Sequence, residues 1–363
     1  MRFSWRWLLS LGFMGLSVAV WISQPALLAN SASQPPSHQA QLANPGTFNP
    51  SGKFALVKTL DDSEQGHISR VNDLAISPDG KVLISASRDK TIKLWNLETG
   101  RLIATLAQDA KEVYSVAISP DGQTLASGSA DETIKIWKLN LSELAINSET
   151  PVASLEFTKK AHDFGVSAVA ISADGQTLAT ASPDKKIKLW NLANLEQKDE
   201  LKGHKSFVWD VAFSPDGRSL ASASYDQTVR IWNLGRGFRK RELKGHESPV
   251  LCVAFSPDGQ MLASASNNGT IKLWNSRTGQ VISTLARHTS TVMSLQFSPD
   301  GQYLASGGAD NAVKIWNPTN GAVLETLSGH INPVTAVAFT PDGKTLVSGS
   351  ADRAIKIWRR GAN

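Results

Sequence analysis

A run of about nineteen residues with a fixed order of apolar and polar positions recurs seven times along the chain, and each copy ends in tryptophan. The copy from Ser119 to Trp137 reads Ser-Pro-Asp-Gly, then an alternating stretch, an aspartate, and Ile-Lys-Ile before the tryptophan. Proline presets φ and glycine accepts a positive φ, so Pro-Asp-Gly predicts a tight turn. Each copy therefore predicts three short strands separated by two tight turns, and the apolar segment before the next copy predicts a fourth strand.

The closing tryptophans are spaced by 42 residues in every interval except one of 53. A fixed period of this length indicates equivalent units, each too small to bury its apolar face without a neighbour. Seven units of four strands predict an all-β fold, a seven-bladed β-propeller of four-stranded antiparallel blades. These tryptophans are Trp95, Trp137, Trp190, Trp232, Trp274, Trp316 and Trp358.

The two ends of the repeat region predict how the propeller closes. Five residues follow Trp358, so the seventh unit has no fourth strand after it. The segment from Phe54 to Leu60 precedes the first copy and ends in Thr-Leu, as fourth-strand segments such as Val281 to Leu285 do. We therefore expect this N-terminal strand to complete the last blade, which would remove an open sheet edge.

Residues 1–29 have the pattern of a targeting segment. Arg2 and Arg6 precede an apolar run at residues 8–22, which is shorter than a bilayer span normally requires. The pattern predicts a signal peptide or, alternatively, an N-terminal membrane anchor, with the rest exported to a periplasm, lumen or extracellular space. Residues 30–53, rich in Pro, Ser, Asn and Gln, predict a flexible linker. Residues 54–363 are assigned to the propeller.

Composition and motifs exclude several kinds of site. The net charge of +5 over 363 residues is modest, so charge alone indicates no nucleic-acid partner. The single cysteine, Cys252, excludes an internal disulfide and a cysteine metal cluster. No Gly-rich phosphate loop, HExxH or CxxC motif is present in the sequence. We therefore predict no cofactor and no metal ion.

The repeat resembles a known family. Most copies contain a histidine 28 residues before the tryptophan, with Ser-x-Ser-x-Asp and Ile-Lys-Leu/Ile-Trp between. This pattern, which covers residues 54–358, resembles the WD-repeat (WD40) β-propeller family. Asparagine follows the tryptophan in five copies, and this variant resembles bacterial members of the family.

Repeated His, Ser and Asp residues could suggest a hydrolase, but seven similar sets around a propeller cannot share one substrate cleft. The resemblance instead implies that each set, with its tryptophan, forms a hydrogen-bonded network that braces a blade, and no catalytic residue is predicted. Sets of this kind are His67, Ser85, Asp89 and Trp95; His204, Ser222, Asp226 and Trp232; and His330, Ser348, Asp352 and Trp358.

Two copies depart from the network pattern. Asp109 replaces the histidine of the second copy, and Asn268 replaces the aspartate of the fifth. We expect these two blades to be less strongly braced, with Asp109 repelling Asp131 unless a water or cation intervenes. The basic residue two before each tryptophan, such as Lys135 or Arg230, is interpreted as an outward-facing position of an alternating strand.

The resemblance implies that partners bind at one end of the propeller, through the residue five after the histidine position and the residue before the turn aspartate. Trp209, Tyr225, Leu251 and Met293 occupy such positions in three successive copies, and Tyr114 and Arg88 occupy them elsewhere. Aromatic and Met side chains are typical of interface anchors, so we predict an apolar arc on the channel rim. Alternatively, Leu251 and Met293 are packing residues.

These observations lead to a functional hypothesis with two alternatives. The first is a noncatalytic, monomeric scaffold that binds a protein or peptide partner in the cell envelope, with residues 8–22 as a membrane tether if they are retained. The second is a propeller that binds a small ligand or glycan at the central channel or rim. The third, an enzyme, lacks a nonrepeated cluster of acid, base and nucleophile.

Overall fold

The computed structural model describes residues 52–361, apart from 62–64, 108, 142–151 and 236–239. The predicted signal peptide or anchor and nearly all of the predicted linker lie outside the described residues. The described part of the chain contains twenty-eight strands in seven four-stranded antiparallel sheets. The predicted seven-bladed propeller is therefore confirmed.

Each of the first four blades uses four consecutive strands. Blade 1 contains β2 (Val71–Ile76), β3 (Val82–Ser87), β4 (Thr91–Asn96) and β5 (Leu102–Ala107). Blade 2 contains β6 (Val113–Ile118), β7 (Thr124–Ser129), β8 (Thr133–Leu139) and β9 (Ala153–Lys160). Blade 3 contains β10 (Ala168–Ile171), β11 (Thr177–Ala181), β12 (Lys186–Asn191) and β13 (Gln197–Lys202). Blade 4 contains β14 (Val208–Phe213), β15 (Ser219–Ser224), β16 (Val229–Asn233) and β17 (Lys240–Leu243).

The last three blades include the closure. Blade 5 contains β18 (Val250–Phe255), β19 (Met261–Ser266), β20 (Thr270–Asn275) and β21 (Val281–Ala286). Blade 6 contains β22 (Val292–Phe297), β23 (Leu304–Gly308), β24 (Val313–Trp316) and β25 (Val323–Leu327). Blade 7 contains β26 (Val334–Phe339), β27 (Thr345–Ser350), β28 (Ile355–Arg360) and, as its outer strand, β1 (Phe54–Leu60).

The N-terminal strand completes blade 7, as the sequence predicts. Strand β1 pairs antiparallel with β28, from Phe54 opposite Arg360 to Leu60 opposite Ile355. Phe54 is buried and lies with its aromatic ring 6.1 Å from that of Phe339. Leu60 is buried in a core cluster that also contains residues of blade 1. The strand therefore contributes buried apolar surface as well as backbone pairing.

The first strands of neighbouring blades contact one another all the way around and form the wall of the central channel. The second strands are buried on both faces, because a neighbouring blade packs against each side of the sheet. Small residues are needed there. A Cβ atom added to Gly128 would lie 2.7 Å from Cγ1 of Val166 in the next blade. The Ser, Ala and Gly residues of these strands thus set how closely the blades stack.

The two edges of the propeller carry different turns. One edge, the proline-turn face, carries the turns between first and second strands, such as residues 119–122, where Gly122 has φ of +72°. The opposite edge, the histidine face, carries the loops that enter the first strands, such as residues 67–70, and the turns between second and third strands, such as residues 87–91. Gly52 lies at the proline-turn face, where its carbonyl accepts a hydrogen bond from Arg360 Nε at 3.2 Å.

A β-bulge at the histidine face positions the rim of the channel. In blade 4, Val208 pairs with Ser224 and Asp210 with Ala223, so that Trp209 is the extra residue between them. Six of the seven first strands have this irregularity at the same place. A bulge redirects the side chain of the extra residue. In these six blades the residue five after the histidine position is therefore the extra residue at the rim of the channel.

Candidate partner-binding site

The repeated His, Ser and Asp residues form a buried network in blade 1. His67 Nδ1 lies 2.8 Å from Asp89 Oδ2, and His67 Nε2 lies 2.7 Å from Ser85 Oγ. Trp95 Nε1 donates to the same serine oxygen at 2.8 Å. Burial would raise the pKa of Asp89, but hydrogen bonds from His67 and Thr91 outweigh it and hold that pKa at about 2. The Ser85 hydroxyl is fully buried, so this arrangement offers no accessible nucleophile.

Four further blades have the same set of contacts. Histidine, aspartate, the serine or threonine hydroxyl and the tryptophan N–H are joined in each at hydrogen-bond distance. These sets are His162, Asp184, Thr180 and Trp190; His204, Asp226, Ser222 and Trp232; His288, Asp310, Ser306 and Trp316; and His330, Asp352, Ser348 and Trp358.

Blade 2 has a different buried arrangement. Lys135 Nζ forms an ion pair with Asp109 and lies 3.8 Å from Asp131 Oδ2, so the lysine offsets the repulsion expected between the two carboxylates. The interpretation of Lys135 as an outward-facing residue is wrong, since its side chain is buried. In this blade, which has no imidazole at the network position, Ser127 Oγ and Trp137 Nε1 are buried without a hydrogen-bond partner among the described residues.

Arg230 in blade 4 is a second exception to the outward-facing interpretation. It is buried, its guanidinium lies 5.9 Å from the centroid of the Trp232 aromatic ring, and Nη2 donates to Glu242 Oε2 at 2.7 Å. The outer strand covers it, and the aromatic face offers a favourable surface for a guanidinium. Alternation along a strand therefore did not determine burial at this position.

Blade 5 has an incomplete network. Asn268 turns its side-chain oxygen to Ser266 Oγ at 2.6 Å and to the backbone N–H of Thr270 at 3.2 Å. His246 Nε2 still lies 2.7 Å from Ser264 Oγ, but His246 Nδ1 is buried without a partner among the described residues. Burial, with a smaller contribution from Lys272, lowers the pKa of His246 to about 4.

Replacement of Asn268 by aspartate is expected to stabilise the propeller. The new carboxylate would accept the hydrogen bond that His246 Nδ1 lacks, and satisfying a buried polar group contributes about 1–3 kcal/mol. Chemical denaturation of Asn268→Asp should therefore show a higher midpoint than the parent. Asn267→Asp is the matched control, because that side chain accepts from Thr291 Oγ1 and not from a histidine. Equal midpoints for the two variants would contradict the prediction.

The predicted partner residues Trp209 and Tyr225 lie together on the histidine face. Their aromatic ring centroids are 5.6 Å apart, and the Tyr225 centroid is 5.8 Å from that of Phe207. The side chain of Trp209 is 37% exposed, and that of Phe207 is similarly exposed. We call Phe207, Trp209 and Tyr225 the aromatic cluster. Sequence reasoning missed Phe207, although a bulky aromatic residue at this loop position occurs only in the fourth copy.

The predicted apolar arc is not continuous. Leu251 of blade 5 is only 7% exposed, so it packs inside and does not present a surface. Met293 of blade 6 is partly buried, and its sulfur accepts a hydrogen bond from Arg70 Nη2 at 3.8 Å. The repeat position predicts the direction of a side chain, whereas the neighbouring blades decide whether it is covered. The aromatic cluster is therefore confined to blade 4.

Tyr114 and Arg88 belong to a second group on the same face. Arg88 Nε donates to Glu112 Oε1 at 3.1 Å, and both side chains are partly exposed. The pKa of the Tyr114 phenol is raised by burial and by Glu112, and the positive charges of Arg88 and Arg70 oppose this rise. We call Arg70, Arg88, Glu112 and Tyr114 the charged cluster. Sequence reasoning missed Arg70, which occupies in blade 1 the position that Phe207 occupies in blade 4.

Three of the seven rim residues are used to join neighbouring blades. Asn72 Nδ2 donates to the Val113 carbonyl at 2.7 Å, and Ser167 Oγ donates to the Val208 carbonyl at 2.7 Å. Thr335 joins the last blade to the first, since its hydroxyl donates to the Val71 carbonyl at 2.5 Å. The side chains of these polar residues are used in hydrogen bonds between blades, whereas the aromatic rim residues have side chains that a partner can contact.

Two carboxylates lie in the channel wall directly below the rim. Asp73 accepts hydrogen bonds from the backbone N–H groups of Leu74 and Val116, and Asp210 accepts from those of Val211 and Val253. Each carboxylate therefore accepts hydrogen bonds from a backbone N–H group of its own strand and from one of the next blade. Burial raises the pKa of Asp73 to about 6 and that of Asp210 to about 7, despite these hydrogen bonds.

The channel wall also borders a cavity of about 410 Å³ among the first strands of blades 2 to 5. It is open to solvent, and its lining includes Ile171, Phe213, Phe255 and Ser214. Among the described residues, no group of three or more His, Cys, Asp or Glu side chains is placed to hold a metal ion. Within the same residues, no helix has the length and apolar character needed to cross a membrane.

Two known families match different parts of the propeller. The family described as "WD domain, G-beta repeat" matches residues 54–96, 100–138 and 151–191. The family described as "Echinoderm microtubule-associated protein second beta-propeller" matches residues 208–361. WD40 repeats and a β-propeller family are thus found by sequence comparison, in agreement with the fold.

Similar proteins match over short segments. The U3 small nucleolar RNA-associated protein 13 of Saccharomyces cerevisiae is 37% identical over 59 residues, which is 16% of this chain and 7% of that protein. The ribosome biogenesis protein BOP1 homolog of Drosophila melanogaster is 42% identical over 45 residues, or 12% of this chain and 6% of that protein. The homolog of Drosophila persimilis is 36% identical over 66 residues, or 18% and 8%.

The matched part of the chain thus covers less than a tenth of the length of each relative, and each match is about the length of one or one and a half repeats. These relatives are eukaryotic, and the resemblance to bacterial members stays a prediction.

Proposed function

Because the chain carries WD40 repeats on a closed seven-bladed propeller, we propose that it is a noncatalytic scaffold that binds a protein or peptide partner at the histidine face. WD40 propellers are generally noncatalytic scaffolds, and the repeated His-Ser-Asp sets of this chain are buried inside its blades. A scaffold needs an accessible surface with anchoring side chains on a rigid support. The histidine face has both.

The observation that carries the proposal is the aromatic cluster. Tyr225 lies between Trp209 and Phe207 and contacts both rings, and the latter two side chains are exposed beside the channel mouth. Large aromatic side chains anchor protein interfaces because they bury much apolar area with little loss of conformational freedom. A bulge and a turn of the same blade hold Trp209 and Tyr225, so little ordering is needed on binding.

The compartment is proposed from the sequence alone. The pattern of residues 1–29 supports export, either free after cleavage or tethered through residues 8–22. The relatives have names that refer to ribosome biogenesis and to a nucleolar RNA, but each match is about the length of one or one and a half repeats. Similarity over this length supports a shared repeat and not a shared process, so we propose a scaffold of the cell envelope, acting as a single propeller.

Alanine substitution of Trp209 and Tyr225 in the full chain is expected to abolish partner capture without unfolding the propeller. Crosslinking in the native host, with captured proteins identified by mass spectrometry, measures the effect. Removing two clustered anchors typically weakens binding by several kcal/mol, about a hundredfold or more. Phe157→Ala is the matched control, because Phe157 is 38% exposed but lies on the outer strand of blade 2. Undiminished capture by the double variant would refute the proposed face.

A second candidate function is the binding of a small ligand or glycan, which the cavity of about 410 Å³ favours. Ligand sites are commonly concave and of this order of volume. Titration of the full chain against a panel of glycans and metabolites distinguishes the two functions. Saturable binding that survives loss of Trp209 and Tyr225 would support this second candidate over the first.

A further inference from the structure

Within the part of the chain that the structure describes, Arg70 has no carboxylate partner. Its Nη2 donates to a thioether sulfur at 3.8 Å, and its Nε is buried with no hydrogen-bond acceptor among the described residues. A thioether is a weak acceptor, whereas a guanidinium is best satisfied by a planar carboxylate that takes two parallel hydrogen bonds. The propeller thus holds a partly desolvated guanidinium at its surface, and none of the described residues supplies it with an anion.

The position of this guanidinium is the channel mouth. Arg70 belongs to the loop before the first strand of blade 1, and its guanidinium contacts Met293 on the rim of blade 6. The side chain therefore passes the rim of blade 7, where Thr335 is buried and bonded to blade 1. Blade 4, with its aromatic cluster, forms another part of the same rim. A chain laid on the histidine face could contact both the guanidinium and the aromatic side chains.

The local charges select one kind of anion. Arg70 and Arg88 together carry two positive charges, and Glu112, paired with Arg88 at 3.1 Å, carries one negative charge. The charged cluster therefore has a single uncompensated positive charge. One carboxylate would neutralise it, whereas a dianionic phosphate would leave an excess negative charge beside Glu112.

The geometry points to a peptide partner that places an aspartate or glutamate carboxylate on Arg70 and a bulky apolar side chain on the aromatic cluster. This inference rests on the proposed function and assigns the chemistry of its partner. Trp209 and Tyr225 supply apolar contact area. Arg70 orients the peptide, since a planar guanidinium donates two parallel hydrogen bonds to a carboxylate in only a few arrangements.

The test begins with a phage-displayed library of short random peptides selected on the immobilised full chain. We expect the selected peptides to contain Asp or Glu near Trp, Phe or Leu. A selected peptide is then synthesised with its acid and with the matching amide, Asn or Gln. The parent chain should bind the acidic peptide at least about tenfold more tightly than the amide. Selection of peptides without acidic residues would overturn the inference.

A double-mutant cycle assigns the effect to Arg70. Arg70→Met should bind the acidic and the amide peptide with nearly equal affinity, and the amide peptide should bind this variant about as well as it binds the parent. Arg277→Met, an exposed arginine on the proline-turn face, is the control and should keep the preference for the acid. A preference that survives in Arg70→Met would overturn the inference.

The same peptides distinguish failure of the inference from failure of the proposed function. Peptides that need Trp209 and Tyr225 but show no coupling to Arg70 would leave the scaffold proposal standing and remove this one. Peptides that bind independently of all three residues would contradict both. Because Arg70→Met removes a poorly satisfied, partly desolvated charge, its melting temperature should equal or exceed that of the parent, and native folding is verified by that measurement.

Discussion

Deletion of residues 54–60 is expected to open blade 7 and to lower the melting temperature by well over 10 °C, or to prevent soluble folding. Strand β1 is paired with β28 from Phe54 to Leu60, with one register shift at Val57, and buries Phe54 and Leu60. Loss of a buried Phe and a buried Leu costs about 5–10 kcal/mol in all, which is comparable to the total stability of many domains. Deletion would also expose β28 as an unpaired edge that can recruit other chains.

Single substitutions in β1 test its buried side chains without shortening the chain. Phe54→Ala and Leu60→Ala should each cost about 2–5 kcal/mol of unfolding free energy. Val57→Ala is the control in the same strand, because Val57 is 40% exposed and lies at the register shift between Leu56 and Lys58. Thermal and denaturant unfolding measure these effects. An unchanged melting temperature for the deletion would refute the role of β1 as the closing strand.

Replacement of Ser222 by alanine is expected to destabilise the propeller by about 2–6 kcal/mol. Its hydroxyl oxygen lies 2.7 Å from His204 Nε2 and accepts from Trp232 Nε1 at 2.9 Å. Both nitrogen atoms are buried, so removal of the hydroxyl leaves two polar groups unsatisfied at about 1–3 kcal/mol each. Denaturant unfolding, with the slope checked against the parent, measures the loss.

Blade 2 provides a control at the equivalent position. Ser127 is as deeply buried as Ser222, but its hydroxyl has no hydrogen-bond partner among the described residues. Ser127→Ala removes an already unsatisfied group and should change stability by less than about 0.5 kcal/mol. Similar losses for the two variants would show that the network contributes little and that the small side chain itself is what the position requires.

These two predictions depend on different sources of information. The closing strand could be expected from the sequence, because Phe54 to Leu60 has the pattern of the outer strands and the seventh copy lacks one. The contrast between Ser222 and Ser127 could be expected only in part. Asp109 in place of histidine indicates a weaker network in blade 2, but the buried Lys135 and the two unpaired atoms depend on how neighbouring strands cover them.

The candidate site shows the same division. The repeat pattern identified the rim positions, since a bulge at one place in six of the blades makes the same residue the extra one at the rim of the channel. It did not identify which rim residues are accessible. Leu251 is covered, Thr335 is bonded to the next blade, and Trp209 is exposed, although all three occupy the same repeat position.

The sequence by itself determined the number of blades, the turns and the closing strand, because these depend on local conformational preferences and on a period that is repeated in every copy. Only the tertiary structure decided that the aromatic cluster is confined to blade 4 and that Arg70 reaches the channel mouth from blade 1. Exposure and pairing of a side chain depend on atoms supplied by neighbouring blades, and a repeat describes each blade without its neighbours.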